Sequence, residues 1–106
     1  MLRPPNPAGG RSVCDALMAP EPGEITFAIN RRRLAGGVSV SDDEALAAIA
    51  FAFRQLKLVL EPGGAVALAA LLSGKLALGG RTAVVVASGG NVDPALFARA
   101  IGGCAT

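Results

Sequence analysis

The feature that most constrains this chain is a helix with no polar side. Pro62-Gly63-Gly64 opens a segment that continues as AVALAALL and ends at Gly74, which predicts a helix with a C′ glycine. A helix that is apolar all round lies inside a larger protein or a membrane. The uncharged stretch over 62–74 has only 13 residues, whereas a membrane span needs about 20. The pattern therefore predicts burial against other protein and no membrane partner.

The composition points the same way. A length of 106 residues allows one small domain, and only 17% of the residues are charged, against about 25% in an average globular protein. We expect a single partial domain over 1–106 that is incomplete alone. Its parts are a Pro/Gly-rich loop or severed connection over 1–12, a folded part over 13–101 and a tail over 102–106.

Local signals define the remaining elements. Ser41 and Glu44 have the spacing of a capping box, and Asp93-Pro94 supplies an N-cap followed by proline at the first helical position. A continuous apolar, β-branched run suits a strand covered on both faces of a parallel sheet. The predicted elements are a helix over 23–35, a short strand over 38–40, a helix from 42 to about 58, the apolar helix, a strand over 82–87 and a helix over 95–101. This order predicts an α/β fold with too few strands to stand alone.

The candidate site is the segment Ser88-Gly89-Gly90-Asn91, at the end of the second predicted strand. Ligands of open α/β sheets bind outside the carboxyl ends of the strands. Glycines allow the backbone to approach a ligand closely, the following helix offers free amides, and Ser88 offers a neutral hydroxyl. The alternative is a tight strand-to-helix turn in which the serine caps its own backbone.

Several other functions lack the residues they need. The chain has no histidine, so a Ser-His-Asp triad cannot be built from it. Cys14 and Cys104 lie far apart, which favours two free thiols, no metal site and a reducing, cytoplasmic location. Arg31-Arg32-Arg33 is the only basic cluster and has no neighbouring Trp or Tyr, so it indicates a solvated helix face or domain interface and no nucleic-acid partner.

Two longer stretches carry a family resemblance. LKLVLEPGGAVALAALLSGK and VVVASGGNVDP resemble the C-terminal part of the pyridoxal-phosphate-dependent threonine/serine dehydratase and serine racemase family, which has the tryptophan-synthase-β-like fold, or fold type II. Upstream, RSVCDAL and PGEITFAINRRRLAGGVSVSDDEALAAI continue the resemblance, which runs from about Arg11 to about Arg99. The resemblance implies an α/β fold: the C-terminal portion of the large domain over 13–101, with helices packed on a partial parallel sheet.

The resemblance also implies a cofactor and roles for site residues. Ser88 matches the serine that bonds the pyridine nitrogen of pyridoxal 5'-phosphate, and Gly89, Gly90 and Asn91 match the turn that shapes the pocket beside the ring. Glu61 matches a glutamate near the ring; its alternative role is a helix N-terminal carboxylate favoured by the helix dipole. The parent enzyme would be an ammonia-lyase that converts a hydroxy amino acid, threonine, serine or 3-hydroxyaspartate, to a 2-oxo acid.

The family's covalent and phosphate anchors have no counterpart here. The Schiff-base lysine lies in a Ser-x-Lys-x-Arg-Gly segment, and neither Lys57 nor Lys75 is in such a segment. The glycine-rich phosphate loop and the acidic metal cluster are also missing. We therefore expect no catalytic residue and no metal ligand in this chain, weak or no binding of pyridoxal phosphate, and no lyase activity alone.

Three hypotheses for function follow. The first is a C-terminal segment of a dehydratase, from a truncated gene, a pseudogene or a split protein. The second is a non-catalytic interaction module that associates with full-length or complementary dehydratase subunits, or with itself. The third is a free-standing small-molecule binding domain that uses the 88–91 segment.

Overall fold

A computed structural model of the chain describes residues 12–19 and 21–103. The predicted connection over 1–12, apart from Ser12, and Cys104 with the end of the predicted tail lie outside the described residues. The elements, in chain order, are a 3₁₀ turn at Asp15–Leu17, α1 at Glu24–Arg33, α2 at Asp42–Phe51, a π-helical turn at Ala52–Leu56, α3 at Pro62–Leu72 and α4 at Pro94–Gly103.

The helix that begins at Asp42 has the predicted capping box. The Ser41 hydroxyl accepts a hydrogen bond from the Glu44 amide (3.1 Å), and the Glu44 carboxylate accepts one from the Ser41 amide (2.7 Å). These two bonds satisfy amides that the first turn would otherwise leave without partners. Helical backbone continues past α2 through the π-helical turn to Leu56, so the predicted helix over 42–58 is confirmed. It ends at Lys57, which adopts the left-handed conformation (φ 60°).

The apolar helix α3 also has its predicted ends. Pro62 occupies the first turn, and Gly74 has a φ of +74°. The Gly74 amide donates to the Leu71 carbonyl (3.2 Å) and the Lys75 amide to the Ala70 carbonyl (3.3 Å), which is the Schellman pattern of a helix C-terminus. All of α3 is buried or half-buried except its last residue, Leu72.

Helices α1 and α4 confirm the other two helical predictions. α4 begins after Asp93, whose carboxylate accepts from the Leu96 amide (3.0 Å), and it continues through Gly102 and Gly103, at which the sequence predicts its end. α1 has no buried residue and lies apart from the core.

The core lies where α2 packs against α3 and α4. Phe53 and Phe97 add an edge-to-face ring contact with centroids 5.3 Å apart. Ile49 is the one large side chain that is fully buried among the described residues, and most of the other buried side chains are alanines. The core is therefore small in volume, and large apolar side chains remain on the surface.

The predicted partial parallel sheet is not confirmed, because the described residues contain no strand. The expectation that the segment over 82–87 is covered on both faces is likewise not confirmed in the described residues, where Val84 is 90% exposed and Val86 69%. A strand exists only through hydrogen bonds to a neighbouring strand, and neither 38–40 nor 82–87 has one in this part of the chain. The described helices also include none that is long and apolar enough to cross a bilayer.

Candidate functional site

The segment Ser88–Asn91 lies against the residues that lead into α3. The Glu61 amide donates a hydrogen bond to the Gly89 carbonyl (3.0 Å), although the two residues are far apart in sequence. The Val92 amide then bonds the Gly90 carbonyl (2.9 Å), which closes a three-residue turn before Asp93 caps α4. The structure thus brings the EPGG and SGGN motifs together at what we call the glutamate–glycine junction, formed by Val59–Glu61, Gly64 and Gly89–Gly90.

Three glycines make this close approach possible. A Cβ built on Gly64 would lie 2.5 Å from the Gly89 carbonyl oxygen and 2.8 Å from the Gly89 nitrogen. A Cβ on Gly90 would overlap the Val59 carbonyl oxygen, and one on Gly89 would overlap a Glu61 carboxylate oxygen. At Gly64 and Gly90 the facing atoms are backbone and leave no room for a side chain, whereas Gly89 faces the Glu61 side chain. Such close backbone approach is one of the uses of glycine near ligand sites.

The Glu61 carboxylate faces this junction. Glu61 occupies the N-cap position of α3, but its side chain makes no capping hydrogen bond. It is half-buried, and its carboxylate has no hydrogen bond to another described residue. Within the described part of the chain the carboxylate is therefore a polar group without a partner, between the start of α3 and Gly89.

Ser88 and Asn91 flank the junction and are exposed. Within the described residues the Ser88 hydroxyl makes no hydrogen bond, so the self-capping turn considered as its alternative is not formed. Asp93 supplies the cap of α4 instead. The structure groups Glu61 with Gly89 and Gly90, and it leaves the hydroxyl of Ser88 and the amide of Asn91 available to a ligand.

Both lysines are engaged away from this segment. Lys75 Nζ donates to a Glu44 carboxylate oxygen (2.7 Å) and to the Ser39 carbonyl (2.7 Å), and Lys57 Nζ donates to the Arg54 carbonyl (2.8 Å). The hydrogen bond from Lys75, with that from the Ser41 amide, lowers the pKa of Glu44 from 4.5 to about 2. In the part of the chain that is described, no three Cys, Asp or Glu side chains group as a metal site.

Sequence reasoning missed two features of the junction. Gly64 is part of it, and the second glycine of EPGG was the available signal, because a glycine inside a helix is unfavourable without a packing reason. The left-handed Lys57 precedes the extended residues that meet Gly90, and a lysine gives no sequence signal of a positive φ.

Comparison with known proteins identifies the class of protein to which the chain belongs. Residues 2–89 match the family described as "Pyridoxal-phosphate dependent enzyme". The chain belongs to this family, and so to fold type II, as the two motifs at the junction predicted.

The similar relatives are dehydratases and ammonia-lyases. The chain is 44% identical over 93 residues to phenylserine dehydratase of Ralstonia pickettii, covering 87% of this chain and 28% of that enzyme. It is 36% identical to L-threonine ammonia-lyase of Thermotoga maritima (88% and 23%) and 33% identical to L-threo-3-hydroxyaspartate ammonia-lyase of Saccharomyces cerevisiae (88% and 28%), each over 93 residues. The chain thus spans about a quarter of the length of these curated relatives.

Proposed function

We propose that this chain is the C-terminal segment of a pyridoxal-phosphate-dependent hydroxy amino acid ammonia-lyase, inactive alone and completed by the rest of the enzyme. The observation that carries the proposal is the glutamate–glycine junction. The bond from the Glu61 amide to the Gly89 carbonyl fixes the Ser88–Asn91 turn beside the start of α3. This arrangement supports a wall of a ligand pocket, because the Ser88 hydroxyl and the Glu61 carboxylate, which make no hydrogen bond within the described residues, both lie next to the bare backbone of Gly89.

The residues present fit one end of the cofactor. When bound, pyridoxal phosphate supplies an electron sink for elimination from an amino acid. The Ser88 hydroxyl would hydrogen-bond the pyridine nitrogen, and because it is neutral it would leave that nitrogen largely unprotonated. Gly89, Gly90 and Asn91 would shape the pocket beside the ring, and Glu61 would lie near it. The lysine and the phosphate loop would come from the remainder of the enzyme, since Lys57 and Lys75 are committed to other carbonyl and carboxylate groups.

The names of the relatives indicate the class of substrate. The names of these enzymes cover phenylserine, threonine and 3-hydroxyaspartate, all of which carry a hydroxyl on the β-carbon. We propose a β-hydroxy amino acid as the substrate and ammonia with a 2-oxo acid as the products. A reducing cytoplasmic location is consistent with the free, buried Cys14 thiol.

The test is complementation. The part of Ralstonia pickettii phenylserine dehydratase that precedes the aligned region would be co-purified with this chain, and 2-oxo acid release would be measured from phenylserine, threonine, serine and 3-hydroxyaspartate. We expect turnover only when both chains are present. Ser88→Ala should lower cofactor affinity by up to about tenfold, the upper end of what one hydrogen bond between neutral groups contributes. Ser73→Ala, which changes another exposed serine at the far end of α3, is the matched control and should have no effect.

The alternative is a non-catalytic module that associates with dehydratase subunits. Large apolar side chains on the surface favour it, among them Ile25 (77% exposed) and Leu34 (57%) on and after the isolated helix α1. Stable binding to the complementary chain without turnover or cofactor retention would support the module and contradict the enzyme segment. Equal activity of the Ser88→Ala and wild-type complexes would show that Ser88 does not bind the cofactor.

A further inference from the structure

The carboxylate of Asp42 holds a segment that lies about thirty residues earlier in the chain. One of its oxygens accepts a hydrogen bond from the Ser12 hydroxyl (2.5 Å), and the other accepts one from the Val13 amide (3.2 Å). The Ser12 hydroxyl oxygen accepts in turn from the amide of the buried Cys14 (3.0 Å). Hydrogen bonds to a charged acceptor are stronger than those between neutral groups. Asp42 therefore fixes the start of the segment over 12–17 at the first turn of α2.

The other end of this segment lies on the first turn of α3. The 3₁₀ turn at Asp15–Leu17 packs against α3. A Cβ built on Gly63 would lie 3.4 Å from Leu17 Cγ and 3.5 Å from Ala16 Cβ, which are ordinary contact distances. The next residue, Gly64, belongs to the glutamate–glycine junction. The first turn of α3 therefore has the 3₁₀ turn as a neighbour on one side and the junction on the other.

This arrangement connects Asp42 to the candidate site. Glu61 immediately precedes the first turn of α3, and its amide donates to the Gly89 carbonyl (3.0 Å). We infer that Asp42 is a positioning residue for the glutamate–glycine junction. By holding the segment over 12–17 against the first turn of α3, it keeps the Glu61 amide within hydrogen-bonding distance of the Gly89 carbonyl. The consequence for cofactor binding rests on the proposed function.

The chain supplies a matched control. Asp43 also lies in the first turn of α2, where its charge interacts with the helix dipole as favourably as that of Asp42. It is exposed, however, and it makes no hydrogen bond within the described residues. Asp43→Ala therefore removes the same charge and no bond to the segment over 12–17. Ser12→Ala does the reverse, because it removes one of the bonds and leaves the charge of α2 unchanged.

The test is amide hydrogen exchange of the purified chain, followed residue by residue by NMR. The Glu61 amide is released when the junction opens locally, whereas the amide of the fully buried Ile49 is released only when the core unfolds. We expect Asp42→Ala and Ser12→Ala each to speed exchange at Glu61 about tenfold, the lower end of what a hydrogen bond to a charged group contributes. Asp43→Ala should leave exchange at Glu61 unchanged.

Two results would overturn the inference. If Asp42→Ala and Ser12→Ala speed exchange at Ile49 but not at Glu61, the bonds of Asp42 stabilise the chain as a whole and do not position the junction. If Asp43→Ala speeds exchange at Glu61 as much as Asp42→Ala does, the charge at the start of α2 accounts for the effect without the bonds.

The complemented complex separates this inference from the proposed function. Titration with pyridoxal phosphate, followed by absorbance, should give a dissociation constant about threefold higher or more in Asp42→Ala than in Asp43→Ala. Faster exchange at Glu61 in Asp42→Ala, together with a wild-type complex that binds no cofactor, would contradict only the proposed function. A wild-type complex that binds the cofactor, with exchange at Glu61 unaffected by Asp42→Ala, would contradict only the positioning role.

Discussion

Replacing Gly64 by alanine tests whether the glutamate–glycine junction sets the position of α3. In most helices glycine to alanine is stabilising by about 1 kcal/mol, because alanine restricts the unfolded chain. At Gly64 the new Cβ would lie 2.5 Å from the Gly89 carbonyl oxygen, nearly 1 Å inside the 3.4 Å at which ordinary contacts begin. The atoms it meets are backbone, so no side chain can rotate away, and α3 and the 88–91 turn must separate.

The neighbouring glycine supplies the control. A Cβ on Gly63 would meet Leu17 Cγ at 3.4 Å and Ala16 Cβ at 3.5 Å, both ordinary contacts with side chains. Gly63→Ala should therefore gain up to about 1 kcal/mol from helix propensity. Gly64→Ala should lose about 1–2 kcal/mol, because overpacking a tight site costs about 1–3 kcal/mol and the propensity gain offsets part of it.

The assay is urea unfolding followed by far-UV circular dichroism. A difference of about 2 kcal/mol between the two variants corresponds to about 2 M urea in midpoint, at an m-value of about 1 kcal/mol per molar. In the complemented complex, Gly64→Ala should also weaken cofactor retention while Gly63→Ala does not. If Gly64→Ala is as stable as Gly63→Ala, the close approach between α3 and Gly89 does not exist in solution.

Other predictions test the helix ends and the charges. The pKa of Glu44 in the folded protein is depressed to about 2, so its contribution to stability is full above pH 4.5 and is lost as the pH falls toward 2. The fall in the urea midpoint over this interval should therefore be smaller in Glu44→Gln than in the wild type. Equal falls in the two proteins would contradict the bond to Lys75. Lys57→Gly should raise stability by about 0.5–1 kcal/mol, since glycine adopts a positive φ without strain, and a loss would show that the left-handed turn is absent. Asp93→Ala should cost about 1 kcal/mol by removing the cap of α4, whereas Asp93→Asn should cost much less; equal losses in thermal denaturation would contradict a capping role.

The helices were predictable because their signals are local. The capping box at Ser41 and Glu44, the C′ glycine at Gly74 and the Asp93-Pro94 start each act within a few residues of the helix end they define. Such a signal defines the end of the helix whatever the rest of the chain packs against it. The end of α4 was less predictable, because Gly102 and Gly103 permit a helix as well as a turn, and neither forces the chain to stop.

The strands and the junction could not be predicted in the same way, because both are tertiary. The valines at 84–86 give strong β propensity, but propensity becomes a strand only with a hydrogen-bonded neighbour, and the described residues offer none. The motifs at 61–64 and 88–91 were recognised separately as site elements, yet nothing in either motif specifies the bond from the Glu61 amide to the Gly89 carbonyl. That contact is formed only when α2, α3 and α4 share one core.

The junction links the stability of α3 to the geometry of the candidate cofactor site. Val59 limits the space at Gly90, and Gly64 limits it at Gly89, so the turn that carries Ser88 and Asn91 is held on two sides by backbone atoms. Side-chain contacts can adapt through rotamer changes, but contacts between backbones can change only if whole elements move. A substitution at Gly64 or Gly90 would therefore displace the Glu61 carboxylate and the Ser88 hydroxyl relative to each other, even though it removes neither group, whereas a Cβ on Gly89 would meet the Glu61 carboxylate itself. We therefore expect these glycines to matter for cofactor binding as much as Glu61 and Ser88 do, because the glycines set the distance between the Glu61 carboxylate and the Ser88 hydroxyl.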